Sequence, residues 1–185
     1  HTGGGKEQGL AQIARNLDTA LQSTAAETTQ ILLETAAGQG TTLCSTFAEI
    51  RTILDLSNHK DRLGVCLDTC HVFAAGYPLS SRKEYEAMIA SFDSTIGIRN
   101  LKAIHLNDSA ATQGSKKDRH AKIGSGLIPK DIFLYFLTDK RFANIPKVLE
   151  TPVDNPITEY RQEIEMLKNL IKESDHNLDL IFGRK

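Results

Sequence analysis

Four short apolar runs alternate with amphipathic helices, and this alternation constrains the fold of the chain more than any other feature. The runs cover residues 29–34, 63–68, 101–106 and 147–150. The predicted helices cover residues 8–23, 47–56, 82–96, 129–137 and 158–172. Strands and helices that alternate in this way are typical of a parallel sheet covered by helices.

Two parallel α/β folds fit this alternation: a (β/α)₈ barrel and an open, doubly wound sheet. No Gly-x-Gly-x-x-Gly motif opens any of the helices, so a dinucleotide site has no support. A (β/α)₈ barrel needs about 250 residues, whereas this chain has 185 residues and four apolar runs. We therefore predict that residues 1–173 form the C-terminal part of a TIM barrel, roughly its last four to five βα units. Residues 174–185 are predicted to form a flexible tail.

Composition and charge narrow the class of protein. The chain is 40% hydrophobic and 24% charged, and its formal net charge of −1 gives no overall basic field for nucleic acid. It contains neither a membrane-length apolar stretch nor a signal-peptide pattern, so we predict no membrane partner. The three cysteines, Cys44, Cys66 and Cys70, lack the spacing of a zinc knuckle and are predicted to be buried free thiols.

Each apolar run ends on, or one residue after, a side chain that can bind a metal ion. These side chains are Glu34, Asp68, His105 and Glu150. The carboxyl ends of parallel strands meet at one rim, where ligands bind, so we expect the four side chains to face a common point. Burying this many carboxylates without cations would be very costly, which favours a site for several metal ions.

The loops that follow the strands add further candidate ligands. His71 follows the second run, and Asp118 and His120 flank Arg119 in the long polar loop after the third. If that step is extended, Asp118 and His120 point to the same side and Arg119 to the other. His1 is an eighth candidate. Carboxylate and imidazole ligands without thiolate suit zinc, with manganese or iron as substitutes, and clustered metals point to hydrolysis of phosphate esters.

Six segments along the chain form a distinctive set: ETAAGQG from Glu34, GVCLDTCHVFAAGY from Gly64, HLNDS from His105, GSKKDRH from Gly114, IGSG from Ile123 and LETP from Leu149. They resemble the signature segments of endonuclease IV, the zinc-dependent apurinic/apyrimidinic (AP) endonuclease family of DNA base excision repair. The resemblance runs from residue 1 to about residue 172. It departs from the family pattern at Thr35-Ala36, where the family usually has Asn-Thr.

The resemblance implies a TIM barrel with three clustered zinc ions and assigns the ligands one by one. Glu34 would be the catalytic carboxylate that bridges the first two ions, and His1 would bind the first. The second ion would be completed by Asp68, His105 and Glu150, and the third would be held by His71, Asp118 and His120.

The implied reaction is hydrolysis of the phosphodiester 5′ to an abasic site by a bridging hydroxide, which leaves a 3′-hydroxyl and a 5′-deoxyribose phosphate. The implied partner is double-stranded DNA containing abasic sites, contacted by Gln39, Lys116 and Arg119. A complete protein of this kind would be monomeric and, in a bacterium, would lie in the cytoplasm with the nucleoid.

Two other functions stay open on the sequence. A sugar isomerase or epimerase of the same metal-dependent barrel architecture would also present Glu, Asp and His at its strand ends. It would usually lack the Asp118-Arg119-His120 loop for a third metal. The other alternative is a truncated, non-catalytic protein that binds metal or DNA, because the first strands of a barrel and their ligands are missing from the chain.

Overall fold

The computed structural model describes residues 1, 3–24 and 28–182, with side chains described as far as residue 174. The strands are β1 (Ile31–Glu34), β2 (Leu63–Asp68), β3 (Leu101–His105), β4 (Asp108–Ser109), β5 (His120–Ala121) and β6 (Lys147–Val148). The helices are α1 (Lys6–Ser23), α2 (Phe47–Leu56), α3 (Thr69–Ala75), α4 (Arg82–Thr95), α5 (Lys130–Thr138) and α6 (Pro156–Phe182). Strands β1, β2, β3 and β6 form a four-stranded parallel sheet in that order, as the alternation of apolar runs and helices predicts.

The register of this sheet brings the strand ends to one rim. Glu34 is paired with Cys66, Asp68 with His105, and His105 with Val148. The ends of β2 and β3 are therefore level, and β1 ends two residues short of them along the strand direction. This rim is where the side chains predicted to bind metal are brought together.

A continuous hydrophobic core fixes the strands against the surrounding helices. Thr46 caps α2 by accepting a hydrogen bond from the backbone N–H of Glu49, and Ser81 caps α4 in the same way. The core residues with no more than 1% exposure include Ile50, Ile53, Leu67, Phe92, Ile104 and Phe133. Because β2 is buried along its whole length, its end can hold the charged Asp68 only among polar partners.

Helix α3 corrects the prediction of a plain loop after β2. Asp68 caps it by accepting a hydrogen bond of 3.0 Å from His71 N–H, and Gly76 ends it in the left-handed region at φ 114°. Every residue from 69 to 74 is buried. The helix therefore has no polar stripe, and seven residues are too few for the period of 3.6 to emerge from the sequence.

The C-terminal ends of two further elements differ from the prediction by two residues or more. Strand β6 ends at Val148, because the backbone N–H of Glu150 donates to the side chain of Asn107 (2.8 Å) and not to a strand. Helix α6 continues to Phe182, past the predicted end at 172, since no glycine or proline interrupts the sequence before Gly183. The division of the chain at residue 173 stays a prediction.

The two edges of the sheet are open within the described ranges. There, β1 pairs only with β2, and β6 pairs only with β3. A groove of about 460 Å³ runs between β6 and α6, with partly exposed Val148 and Ile164 among its apolar lining.

No helix in the described part of the chain combines the length and the apolar character that crossing a bilayer requires.

Candidate metal centre

The structure brings seven of the eight predicted metal ligands together at the carboxyl rim of the sheet. They form two groups, within each of which one potential ligand atom per residue lies within 4.8 Å of every other. The first group comprises Glu34, Asp68, His105 and Glu150, and the second comprises His71, Asp118 and His120.

The first group places one imidazole nitrogen among three carboxylates. His105 Nδ1 lies 3.2 Å from Glu34 Oε1, 3.0 Å from Glu150 Oε2 and 3.7 Å from Asp68 Oδ2. Ligand atoms about 2.0–2.1 Å from a tetrahedral zinc ion are separated from each other by about 3.3 Å. The observed separations therefore fit donor atoms that share one ion.

The second group is a compact cluster of two imidazole nitrogens and the two oxygens of one carboxylate. His71 Nε2 lies 3.1 Å from Asp118 Oδ2, His120 Nε2 lies 3.3 Å from Asp118 Oδ1, and the two Nε2 atoms are 3.3 Å apart. Asp118 and His120 share one side of the chain, as the sequence predicts, and the Arg119 between them is exposed. These separations also fit donor atoms that share one zinc ion.

Backbone carbonyls orient both imidazoles of the second group. His71 Nδ1 lies 2.7 Å from Thr35 O, and His120 Nδ1 lies 3.1 Å from Glu150 O. Since a carbonyl can only accept, each Nδ1 carries the proton and each Nε2 keeps its lone pair in the neutral ring. Two lone pairs that face each other beside a carboxylate are stable only with a cation or a proton between them, which is the environment of a metal ligand.

Two carboxylates join the groups into one centre. Glu34 Oε1 lies 3.3 Å from His71 Nδ1 and 3.2 Å from His105 Nδ1. Asp68 Oδ2 lies 3.7 Å from both His105 Nδ1 and His120 Nε2. Four carboxylates therefore share the site with three imidazoles, and divalent cations would balance this excess of negative charge.

The pKa values of the metal-free centre reflect the same excess. Burial lowers the pKa of His71, but Glu34, Asp68 and Asp118 outweigh it and raise that pKa to about 9. A hydrogen bond with the Cys66 sulfur, followed by one with Glu34, raises the pKa of His105 to about 11. Burial raises the pKa of Glu34, yet hydrogen bonds from His105 and His71 bring it to about 2. Burial also raises the pKa of Asp68.

The structure does not bring His1, the eighth predicted ligand, into either group. Its amino group donates a hydrogen bond of 2.9 Å to Thr41 O, and the residue is exposed. It lies in a cleft of about 570 Å³ beside Gln8, Gly9 and Leu43. Helix α1 and the loop after β1, and not a strand of the sheet, set the position of His1, so its ligand role stays a prediction.

The three residues assigned to DNA contact are exposed and lie on loops next to Asp118 of the second group. Gln39 Oε1 accepts a hydrogen bond of 3.3 Å from Asp118 N–H. Lys116 has a left-handed backbone at φ 56°, and its N–H donates to Ala74 O (2.9 Å) at the end of α3. Arg119 Nη1 donates to Asp118 O at 2.6 Å. Hydrogen bonds thus hold the loop that carries the basic residues Lys116 and Arg119 against α3 and against the loop of Gln39.

Polar residues that the sequence does not single out as site residues support these ligands. The Thr35 hydroxyl accepts a hydrogen bond of 2.9 Å from Asp68 N–H, so the departure at this position still supplies a buried acceptor. Asn107 contacts both Asp68 and Glu150. These partners are separated by more than 30 positions in the chain, and no local pattern signals them.

The Cys70 sulfur lies within 4.8 Å of donor atoms of two predicted ligands, Asp68 and His120. Burial raises the pKa of Cys70 to about 11, so it is a neutral thiol at pH 7. Its sulfur donates a weak hydrogen bond to Arg119 O at 3.6 Å. Cys70 therefore braces the loop of His120 as a hydrogen-bond donor.

Comparison with known proteins relates this geometry to a family. Residues 1–170 match the model of a family described as the xylose isomerase-like TIM barrel. A probable endonuclease 4 from Chloroflexus aggregans is 42% identical over 93% of this chain and 60% of its own length. An apurinic-apyrimidinic endonuclease from Caenorhabditis elegans is 41% identical over 90% of this chain and 41% of its own length.

The likeness extends to a solved structure. The crystal structure of endonuclease IV from Thermus thermophilus aligns with a TM-score of 0.71 and 29% identity, over 83% of this chain and 54% of that chain. The chain spans about 60% of the length of the first of these curated relatives. Both the predicted barrel fold and the resemblance to endonuclease IV are thereby confirmed, and the chain belongs to the xylose isomerase-like TIM-barrel family.

Proposed function

We propose that the protein is a metal-dependent AP endonuclease that hydrolyses the phosphodiester 5′ to an abasic site in double-stranded DNA. The products would be a 3′-hydroxyl and a 5′-deoxyribose phosphate. The observation that carries the proposal is the convergence of seven carboxylate and imidazole side chains from separate βα units on one rim. The names of the relatives, which are endonucleases including an apurinic-apyrimidinic endonuclease, point to the same reaction.

Zinc suits this donor set best, because the centre combines imidazole and carboxylate ligands. We assign one ion to His71, Asp118 and His120, and the others to Glu34, Asp68, His105, Glu150 and His1, three in all. Bound in this way, the ions would polarise the phosphate and lower the pKa of water. Glu34, whose carboxylate lies beside His105, would hold the first two ions together, and the Nδ1–H bonds of His71 and His120 would keep these imidazoles in the liganding tautomer.

An incision assay on a duplex with one synthetic abasic site tests the proposal. We expect cleavage 5′ to the site in the presence of zinc and loss of cleavage after chelation. Glu34→Gln removes the charge that links the two groups, so we expect it to lower the rate by about 100-fold or more. Glu173→Gln on the exposed face of α6 is the matched control and should leave the rate unchanged. Equal rates for the chain and Glu34→Gln would contradict the proposal.

We assign the DNA contact to Gln39, Lys116 and Arg119. Four basic residues lie between positions 116 and 122, but Lys122 is paired with Glu159 and so contributes less to an open basic surface. Lys116→Ala keeps a Cβ at the left-handed position, so the backbone strain is unchanged. We expect Lys116→Ala to weaken DNA binding. We also expect the slope of log affinity against log salt concentration to become shallower by about one, because one counterion fewer is released.

Lys172→Ala is the control for Lys116→Ala. Lys172 is exposed near the far part of α6, about 24 Å along the helix from its start. Fluorescence anisotropy with abasic duplex at several salt concentrations gives both slopes. If Lys116→Ala keeps the slope of the parent chain, Lys116 is not part of the DNA interface.

A sugar isomerase or epimerase is the second candidate, favoured by the family's likeness to xylose isomerase. The first ligand group alone would serve it, whereas the second group has no role in that chemistry. Metal analysis separates the two: three ions in a complete protein favour the nuclease and two favour the isomerase. A chain that binds metal or DNA without incising would be the non-catalytic alternative. We place the nuclease, as a monomer, in the cytoplasm with the nucleoid if the source is bacterial.

A further inference from the structure

Asn107 is a fully buried amide, two residues beyond His105, that touches two residues of the first ligand group. Its Nδ2 donates a hydrogen bond of 2.6 Å to Asp68 Oδ2. Its Oδ1 accepts one of 2.8 Å from the backbone N–H of Glu150. The amide therefore connects the end of β2 with the segment that follows β6.

The chemistry of its partners fixes the orientation of this amide. A carboxylate can only accept and a backbone N–H can only donate, so a flipped amide would lose both bonds. The Thr69 hydroxyl also clamps the backbone of Asn107: it accepts from Asn107 N–H (2.9 Å) and lies 2.7 Å from Asn107 O. Asn107 is thus held rigidly by contacts on both its side chain and its backbone.

Glu150 needs this support because the sheet does not hold it. Strand β6 ends at Val148, and the backbone N–H of Glu150 donates to the Asn107 side chain instead of to a neighbouring strand. The carbonyl of the same residue accepts from His120 Nδ1 at 3.1 Å, so the backbone of Glu150 also orients a ligand of the second group. A change in the Asn107 amide would therefore displace Glu150 and disturb the Asp68 carboxylate together.

We infer that Asn107 is a positioning residue of the metal centre, which holds Asp68 and Glu150 so that both carboxylates reach the same ion. The inference rests on the proposed function only in taking the centre to bind divalent cations. Groups that orient metal ligands typically change metal affinity by about 10- to 100-fold when they are replaced. Asn107 would act through Asp68 and Glu150 without touching the ion or the substrate.

Zinc affinity of the purified chain, measured by competition with a chromophoric chelator, tests this role. Asn107→Asp keeps the acceptor for Glu150 N–H but replaces the donor to Asp68 by a second carboxylate. We expect the affinity for one of the bound zinc ions to fall by about 10- to 100-fold. We also expect the absorption spectrum of the cobalt-substituted protein to change. Asn169→Asp, an exposed change of equal charge on α6, should match the parent chain. Wild-type affinity and spectrum in a folded Asn107→Asp protein would overturn the inference.

If Asn107→Asp does not fold, two variants of Thr69 test the positioning role of Asn107 instead. Thr69→Val removes the hydroxyl that clamps Asn107 with little change in volume, and Thr69→Ser retains it. Weaker zinc binding in Thr69→Val that is restored in Thr69→Ser supports the inference, and equal binding in both overturns it. Incision is read separately: a chain that binds zinc normally but does not cleave abasic DNA refutes the proposed function and leaves the role of Asn107 intact.

Discussion

When no metal is bound, protonated His71 and His105 offset part of the negative charge of the carboxylates in the centre. Glu34 contacts both of them, and the groups around them raise their pKa values to about 9 and about 11, against an ordinary value of 6.5. At pH 7 both rings therefore hold a proton in the metal-free protein. Zinc requires the neutral ring, so each zinc ion that binds here must displace a proton.

The stability of the metal-free protein is therefore expected to fall as the pH rises. A group whose pKa is raised by folding stabilises the protein fully below its unfolded pKa, here about 6.5. That contribution is lost as the pH rises through the folded value, which is about 9 for His71. Thermal unfolding of chelator-treated protein between pH 6.5 and 9 checks this, and the gain in Tm on adding zinc should increase over the same range.

Two comparisons decide whether His71 causes this effect. His71→Asn should reduce the pH dependence of the metal-free Tm and leave the part that is due to His105, whereas His59→Gln, which lies outside both ligand groups, should leave it as in the parent chain. A metal-free Tm that is constant or rising from pH 6.5 to 9 would refute the proposed charge balance.

At the scale of elements, the sequence predicts structure best where the environment of a residue follows from the pattern of apolar and polar residues around it. The strand ends at Glu34, Asp68 and His105 are foreseeable because apolar runs mark the strands and parallel sheets align their ends. Helix α3 is not foreseeable, since a helix buried on every side has no amphipathic period. Thr35 and Asn107 are beyond local pattern as well, because their partners lie on other βα units.

The conformation of the loop after β5 is also determined by contacts with residues distant in the sequence. The buried Asp108 carboxylate accepts hydrogen bonds from the backbone N–H groups of Gly124 (2.9 Å), Gly126 (2.9 Å) and Ile128 (3.0 Å). A Cβ added at Gly126 would lie 2.5 Å from Ser109 O and closer still to Asp108 Oδ1. Only glycine lets the chain approach this carboxylate closely enough to be wrapped around it.

We expect Gly126→Ala to destabilise the protein by about 1–3 kcal/mol, because neither the backbone of Ser109 nor the buried carboxylate can move away. In a protein of this size that corresponds to a fall in Tm of about 2–12 °C. Gly4→Ala is the control, since its Cβ would meet no atom closer than 3.4 Å. Urea unfolding of the three proteins gives the comparison, and equal midpoints would show that the loop yields more easily than its contacts suggest.

At the scale of the whole molecule, the outer strands of the sheet determine how much of the barrel this chain can form alone. Within the described ranges, β1 and β6 each pair on one side only, whereas every strand of a closed barrel has two neighbours. The groove between β6 and α6 exposes 44% of Val148 and 43% of Ile164 to solvent. The relatives are longer, since the chain spans 60% of the first of them.

We therefore expect a chimera that places the preceding βα units of the Chloroflexus aggregans relative before His1 to be more stable than the chain alone. Covering several aliphatic side chains, each contributing up to about 1.5–3 kcal/mol when fully buried, should raise the Tm by at least about 5 °C. Because strand pairing at both edges would also fix the rim where the metal ligands lie, zinc should bind more tightly and abasic DNA should be incised faster. A chain preceded by a glycine-serine segment of equal length is the control. If the chimera and this control match in Tm, zinc affinity and incision, the open edges of the sheet do not limit the centre.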